Sequence, residues 1–363
     1  MKEEKHTCDI CHEERDLSEL TYFDESYLCE DCLRRETFIC RDCGDRHWND
    51  DSADGDLCQT CYDEDYVRCE RCDAVIHYDD ACYHEDEEYH DHPYCRDCFD
   101  MDETIHDYYY KPEPIFYGDG PRYLGVELEL DDGGENEFCA SKLLDIANAQ
   151  KERMYIKHDG SLDDGFECVT HPMTLDYHIN QMPWRSILNK AVAKGYLSHQ
   201  AGTCGLHVHI SRNALGANYE EQEATIAKIL YFYEKFWNEI LTFSRRTESQ
   251  AEHWARRYGG GIINPKETLK HAKNSHMGRY AAVNLENEAT IEMRIFRGTL
   301  KYNTFIATLQ MVDEICKVAI SLSDEFMQGL TWLDFVKGIA DGKQELINYL
   351  KEKRLYVNEP IRN

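Results

Sequence analysis

The sequence predicts an α+β fold: an antiparallel-rich sheet covered by helices, preceded by small zinc-stabilised modules. Three observations predict it. Six C-x-x-C pairs crowd the first hundred residues. Several short segments after residue 120 alternate apolar and polar side chains, the period of a strand. Longer segments place apolar residues at i, i+3, i+4 and i+7, the period of a half-buried helix.

The cysteine pairs come first. Cys8/Cys11, Cys29/Cys32, Cys40/Cys43, Cys58/Cys61, Cys69/Cys72 and Cys95/Cys98 fall into twos whose first members stand at 8, 40 and 69. Each second pair follows an apolar or aromatic lead, "YLCEDC", "DLCQTC" and "PYCRDC". Four thiolates close one tetrahedral zinc site. Units this small need the metal to supply their folding energy. Residues 1–100 are therefore expected to form three four-cysteine zinc-binding modules, holding three structural zinc ions. Sequential pairing and interleaved cross-bracing are both open at this level. In the third unit Cys82, His77, His84, His90 or His92 could stand in for a cysteine. Redox-active pairs would need a βαβ context that the sequence lacks. Closed sites leave no position for catalysis, so the region reads as a binding module. It resembles zinc-ribbon and treble-clef arrays, which implies the same role.

The 363 residues suffice for two or three domains, and 42% apolar content supports a core. The net charge of −30 is uneven: the first 110 residues hold 35 acidic and 10 basic side chains. Such a field argues against nucleic acid as a partner, since phosphate contacts need clustered Lys and Arg. A basic protein surface is the expected partner, with solubility alone as the alternative. The charged start lacks an apolar signal core and no run reaches membrane length, so a cytoplasmic location and no membrane partner are expected. Residues 101–120, rich in proline, glycine and tyrosine, are expected to be a linker that packs on its neighbour, leaving 121–363 as the catalytic domain.

That domain opens with "RYLGVELEL". Leu124, Val126, Leu128 and Leu130 make one face of a strand, while Gly125, Glu127 and Glu129 make the other. Two carboxylates on one face repel unless a cation lies between them. "HDGSLDDG", 158–165, is a turn rich in acceptors, and "GFECVTHP" after it is a strand carrying Glu167. "GLHVHI", 205–210, puts His207 and His209 on one face and Leu206, Val208 and Ile210 on the other. Taken alone, it is a pair of half-buried histidines. "RYAAVNL", 279–285, and "ATIEMRIFRGTL", 289–300, complete the set, bringing Asn284, then Glu292 and Arg294 on one face. If these strands share a sheet, their charged faces converge. Carboxylates with a histidine suit Mg²⁺ or Mn²⁺, and arginine among them suggests a phosphate to neutralise. No P-loop or dinucleotide fingerprint is present. "YGGGI", 258–262, reads as a flexible loop or, with less weight, a phosphate lid.

Helical stripes follow: one long aromatic helix running from Ile226 to Leu241, others over 304–321 and roughly 332–353, and shorter ones over 138–150 and 180–194, with Gly195 as a C′ cap. Cys139, Cys168, Cys204 and Cys316 are expected to be buried thiols. No nucleophile is assigned.

In chain order, "GVELEL", "HDGSL", "GFECVTHP", "GLHVHI", "YAAVNL" and "TIEMRIFRGTL" resemble the glutamine-synthetase-like amidoligases, carboxylate–amine ligases related to glutamine synthetase and glutamate–cysteine ligase. The resemblance spans roughly 120–320 and implies a sheet of that type. It implies ATP-dependent amide formation through an acyl phosphate, with ATP, Mg²⁺ or Mn²⁺, and a small-molecule or peptide carboxylate and amine as substrates. Transferred to this sequence, it makes Glu127, Glu129, Glu167, His207, Glu292 and Arg294 the catalytic candidates. Glu127, His207 and Glu292 would hold one metal; Glu129 and Glu167 would hold the other, with Asp159 as a further candidate. His209 and Arg294 would face the ATP phosphates, and Asn284 and Arg297 the substrate. Arg245 and Arg246 would reach phosphate or serve as an ordinary cationic helix end. The zinc modules lie outside the resemblance and are expected to recruit a protein or peptide partner. Alternatives are a non-catalytic zinc-based adaptor and a guanidino-kinase-like phosphotransferase on the same fold.

Overall fold

A computed structural model describes residues 5–83, 93–99, 104–259 and 264–356. The chain divides into two compact units, Met1–Asp102 and Glu103–Asn363.

The first unit repeats one plan. Strands Lys5–Thr7 and Glu14–Asp16 pair around the turn that carries Cys8 and Cys11. A second hairpin, Leu20–Phe23 with Ser26–Cys29, delivers Cys29 to the start of helix Glu30–Glu36, which carries Cys32. The second module does the same with hairpins Thr37–Ile39/Arg46–Trp48 and Ser52–Asp54/Leu57–Cys58 and helix Gln59–Asp65. The third uses hairpin Tyr66–Arg68/Val75–His77, then a bridge between Cys82 and Tyr94, then helix Arg96–Phe99. The turn chemistry repeats too. His12, Gly44 and Asp73, each just after a knuckle's second cysteine, have φ of 59°, 77° and 60°. Each donates its N–H to the carbonyl of the knuckle's first cysteine. Left-handed backbone there lets the turn close.

The second unit is built on a mixed seven-stranded sheet. Its strands, in chain order, are β1 (Ile105–His106), β2 (Leu124–Leu130), β3 (Met154–Lys157), β4 (Phe166–Thr170), β5 (Leu206–Ser211), β6 (Val283–Asn284) and β7 (Thr290–Met293). In space they run β1-β3-β4-β2-β5-β7-β6, and every pair is antiparallel except β1 with β3. Residues 104–120 belong to this unit: they supply β1, and Tyr117 bridges to Met173. The unit thus combines helices with a large sheet that is antiparallel-rich with one parallel pair, an arrangement compatible with α+β.

Strand parity works as the alternation dictates. Leu124, Val126, Leu128 and Leu130 are buried, as are Leu206, Val208, Ile210, Ile291 and Met293. They join one apolar core with Ile229, Phe232, Ile240, Phe305, Leu309 and Val312 from the helices. At about 25 cal/mol per Å² of apolar surface, this face dominates the stability of the unit. Helices Tyr302–Ser321 and Glu137–Ala147 match their stripes. Gly195, at φ 89°, follows helix Trp184–Ala193 as its C′ residue. The stripe from Ile226 to Leu241 is broken: helix Tyr219–Lys235 ends, Phe236 sits at φ −108°, ψ 34°, and helix Trp237–Ser244 begins. The segment 332–353 likewise divides into Trp332–Lys337 and Gln344–Glu352. Apolar periodicity survives a small change of direction, so it does not report such breaks. β7 and β6 are shorter than their alternating segments, because pairing stops at Met293 and Asn284. Cys139, Cys168, Cys204 and Cys316 are all buried. Among the described residues no helix is long and apolar enough to cross a membrane.

His178 ties a helix to the sheet. Its Nε2 donates to the Leu124 carbonyl (3.0 Å), and its Nδ1 accepts from Trp184 Nε1 (3.3 Å). Both positions of a neutral ring are used, so a second proton has no acceptor. Burial pulls the imidazole down to about 4, against the weaker opposing pull of the Leu124 carbonyl. A depressed folded value means stability present above the unfolded value and lost on acidification. From about pH 6.5 to pH 4 the chain should lose roughly 3 kcal/mol through this group. Urea denaturation of wild type and His178→Gln at several pH values checks this; the variant should lack that share of the acid loss.

Candidate active site

The sheet register assembles the polar face. Glu127 on β2 stands directly opposite His207 on β5, and Glu129 stands opposite Glu167 on β4. His209 is opposite Glu292 on β7, which is opposite Asn284 on β6; Lys157 on β3 is opposite Glu167. Six strands therefore contribute to one contiguous row. His207 is its centre: Nδ1 lies 3.4 Å from Glu127 Oε2 and 3.6 Å from Glu292 Oε1, while Nε2 lies 3.6 Å from Glu129 Oε1. His209 Nε2 is 3.0 Å from Glu127 Oε1.

Two groups of donors lie close enough to hold an ion: Glu127, His207 and Glu292, and Glu129, Glu167 and His207, each with its ligand atoms within 4.8 Å of one another. Asp159 is in neither group. It lies in the 158–165 turn, where its Oδ1 accepts from Ser161 N–H at 2.7 Å.

The electrostatics favour a cation here. Glu129, Glu167 and Glu292 are only 4%, 2% and 3% exposed. With Glu127 they make four carboxylates, against two permanent cations: Lys157, 3.1 Å from Glu167, and Arg294, 2.5 Å from Glu292. Burial raises the Glu167 carboxyl well above its usual range, and the Glu127 charge adds to it. Burial also raises Glu129, although His207 and the Gly205 amide pull the other way. Glu127 goes well down: burial raises it, but the nearby charges of His209 and His207 outweigh that. His207 Nδ1 and His209 Nε2 are buried without a hydrogen-bond partner, although carboxylate oxygens surround them. Unsatisfied imidazole nitrogens among carboxylate oxygens are the donor set of a hard divalent cation, Mg²⁺ or Mn²⁺. The residues present fit that ion.

Backbone shape supports the row. The Gly205 N–H donates to Glu129 Oε2. A Cβ at Gly205 would run into the His207 imidazole. Gly205→Ala is therefore expected to displace His207 and weaken divalent-cation affinity by 10- to 100-fold, the usual effect of disturbing a ligand's support; Mn²⁺ titration reads it.

Arginines gather beside this row. Arg245 ends helix Trp237–Ser244 in the left-handed region, φ 68°. Its guanidinium donates to the Arg297 carbonyl, and Arg246 Nε donates to the Ile295 carbonyl. Arg297 lies beyond β7 and bridges by backbone to Gly205. Among the described residues none of Arg245, Arg246 and Arg297 pairs with a carboxylate, and each keeps a buried guanidinium nitrogen without a hydrogen-bond partner. Burial lowers Arg246 to about 10, and Arg294, Arg297 and Arg245 push it the same way. Unpaired cations of this kind attract an anion. Asn284 and Arg294 both bond Glu292, Asn284 Nδ2 at 2.9 Å.

A cavity of about 890 Å³ lies in the same unit, lined among others by Tyr108, Asp159, Trp254, Arg256, Arg279 and Tyr280. Lys157 connects it to the row: its ammonium pairs with Glu167 and lies 5.6 Å from the Tyr108 ring centroid. Lys157 and the aromatic lining were not singled out from the sequence. The "DYYYK" cluster was the available signal, but only folding shows that it turns toward the turn at 158. The "YGGGI" loop extends outside the described residues at 260–262.

The cysteines form three groups of four: Cys8, Cys11, Cys29 and Cys32; Cys40, Cys43, Cys58 and Cys61; Cys69, Cys72, Cys95 and Cys98. Pairing is sequential. Cys11 and Cys29 sulfurs are 3.9 Å apart, and Cys72 and Cys95 sulfurs 3.8 Å. A tetrahedron with 2.3 Å Zn–S bonds has edges of about 3.8 Å. Cys8, Cys40 and Cys69 are shifted down to about 6, 6 and 7: burial opposes this, but knuckle amide N–H groups outweigh it. The groups could hold zinc. Cys82 and His77 lie outside them, and His84, His90 and His92 fall outside the described residues.

This mixed helix-and-sheet unit thus carries a carboxylate–histidine face that could hold divalent cations, beside arginines without carboxylate partners among the described residues. A family model described as "Putative amidoligase enzyme" matches residues 144–316. The match takes in Glu167, His207, His209, Asn284, Glu292 and Arg294, and suggests a ligase. It begins after Glu127 and Glu129. No curated protein matches the chain.

Proposed function

We propose that the chain is an ATP-dependent carboxylate–amine ligase. ATP phosphorylates a carboxylate, and an amine displaces phosphate from the acyl phosphate, giving an amide, ADP and phosphate. The single observation that carries this reading is the row of Glu127, Glu129, Glu167, His207 and Glu292 beside arginines that lack acid partners among the described residues. When bound, Mg²⁺ would neutralise phosphate oxygens and align the transferring group. Glu127, His207 and Glu292 would hold one ion, and Glu129 and Glu167 its neighbour. Arg294 is fixed by Glu292, and its charge beside the row suits a phosphate. Arg245, Arg246 and Arg297 offer further donors to the nucleotide or to the anionic substrate. His209, held by Thr290 Oγ1 at 3.2 Å, borders the same space. Glycine-rich backbone is not needed here, because side chains supply the charge. The zinc modules recruit a protein or peptide partner, and their acidity suits a basic one.

The test is ADP release by the purified chain with ATP and Mg²⁺, with and without pooled carboxylates and amines. Release that needs both pools, and falls at least 100-fold in Glu292→Ala, is expected. Release that is unchanged in Glu292→Ala would refute the assignment. A phosphorylated amine or guanidine with no amide would select a phosphotransferase instead.

A further inference from the structure

The cavity carries groups that the cation row does not use. Asp159 lines it, and no Lys, Arg or His pairs with its carboxylate among the described residues. It follows by two residues Lys157, whose ammonium pairs with Glu167, so it stands next to the row. Arg279 spans Tyr108 Oη at 2.5 Å and Tyr280 Oη at 3.3 Å and, among the described residues, has no carboxylate partner. Arg256 donates through Nε to the Glu252 carbonyl and lies 3.7 Å from the Glu252 carboxylate, an exposed pair; among the described residues no hydrogen bond uses its two terminal nitrogens. Tyr108, Trp254 and Tyr280 supply aromatic surface among these charges.

We propose that this cavity binds the amine substrate as a zwitterion: a free α-amino acid whose ammonium meets Asp159 and whose carboxylate meets Arg279 and Arg256. The inference rests on the ligase reading. A free carboxylate beside aromatic faces is a cation site, since ring quadrupoles attract ammonium. Two arginines on the same cavity add an anion site. Only a ligand that carries both charges satisfies both ends. Aromatic walls favour an apolar side chain over a polar one. The ammonium end lies by the row, where the acyl group is activated. A nucleotide fits less well. Its phosphates would meet Asp159 with no bound cation between them, whereas Arg245, Arg246 and Arg297, which have no carboxylate partner among the described residues, do not line this cavity.

Saturation-transfer NMR of the zinc-loaded full chain with each of the twenty standard amino acids tests this. For an amino acid that binds, its decarboxylated amine and its deaminated acid are then titrated. Arg279→Gln should weaken the amino acid at least tenfold and leave the amine analogue unchanged. Asp159→Asn should weaken the amino acid and the amine analogue, and spare the acid analogue. Both positions are at least partly exposed, and circular dichroism confirms that the variants fold. The proposal is overturned if no amino acid binds, if the two variants act alike on both analogues, or if Mg–ADP competes with the amino acid. Because these are binding measurements, failure here is distinct from failure of the ligase reading. ADP release driven by an amine without a carboxylate would overturn the zwitterion and leave the ligase. Amino-acid binding with no ADP release under any pool would do the reverse.

Discussion

Glu129→Gln is expected to lower ligase turnover by 100- to 1,000-fold while making the chelator-treated protein more stable. The two effects share one cause. Glu129 is buried directly opposite Glu167, and burial raises its carboxyl despite the pull of His207 and the Gly205 amide. A carboxyl with a raised folded value stabilises below the ordinary carboxylate range, and that contribution is lost as pH rises through the folded value. At neutral pH without a cation, Glu129 therefore costs stability. Glutamine keeps the shape and still accepts the Gly205 N–H, but it brings no charge. A gain of about 1–2 kcal/mol is expected, the scale seen when buried charge is replaced by a neutral group. Thermal melts in chelator, then with Mn²⁺, read it. The variant should melt higher in chelator and gain less from Mn²⁺ than wild type. A variant that melts lower in chelator would show that Glu129 is an ordinary structural acid.

Cys58→Ala is expected to unfold its zinc module. The apolar clusters of the first unit are small: Cys40, Leu57, Cys58 and Cys61 form one, and Cys8, Leu28, Cys29 and Cys32 another. Clusters made largely of cysteines contribute little burial, so the metal must supply the folding energy, on the order of 10 kcal/mol per site. Elemental analysis should find three zinc ions per wild-type chain, one for each four-cysteine group, and two in the variant. Protease should cut the variant between residues 37 and 65 and spare Leu124–Met293, which has its own core. Full zinc content in the variant would mean that the groups are not metal sites.

Much of this was legible in the sequence, for a physical reason. Strand parity is strict, so Glu127 with Glu129, and His207 with His209, had to share a face once "GVELEL" and "GLHVHI" were strands. Cysteine spacing likewise exposed the modules, because a knuckle needs two residues between its thiols. Strand order was not legible. The opposition of Glu129 to Glu167, and of His209 to Glu292, depends on pairings between residues 38 and 83 positions apart. That order places His207 between both donor groups, a shared position that the motifs alone did not reveal. Lys157 escaped notice because its importance comes only from lying opposite Glu167. The break at Phe236 escaped because the apolar stripe runs straight through it. Asp159, which the resemblance offers as a further metal candidate, lies in neither donor group and lines the cavity, a position that strand pairing alone decides.

The central claim is that the open face of the sheet is a divalent-cation site. Mn²⁺ titration of the zinc-loaded chain, followed by the electron paramagnetic resonance of free Mn²⁺, tests it most directly. Expected is uptake of Mn²⁺ by wild type and its loss in the Glu129→Gln/Glu292→Gln double variant. A free-Mn²⁺ signal undiminished by wild type, or uptake equal in the two proteins, would contradict it.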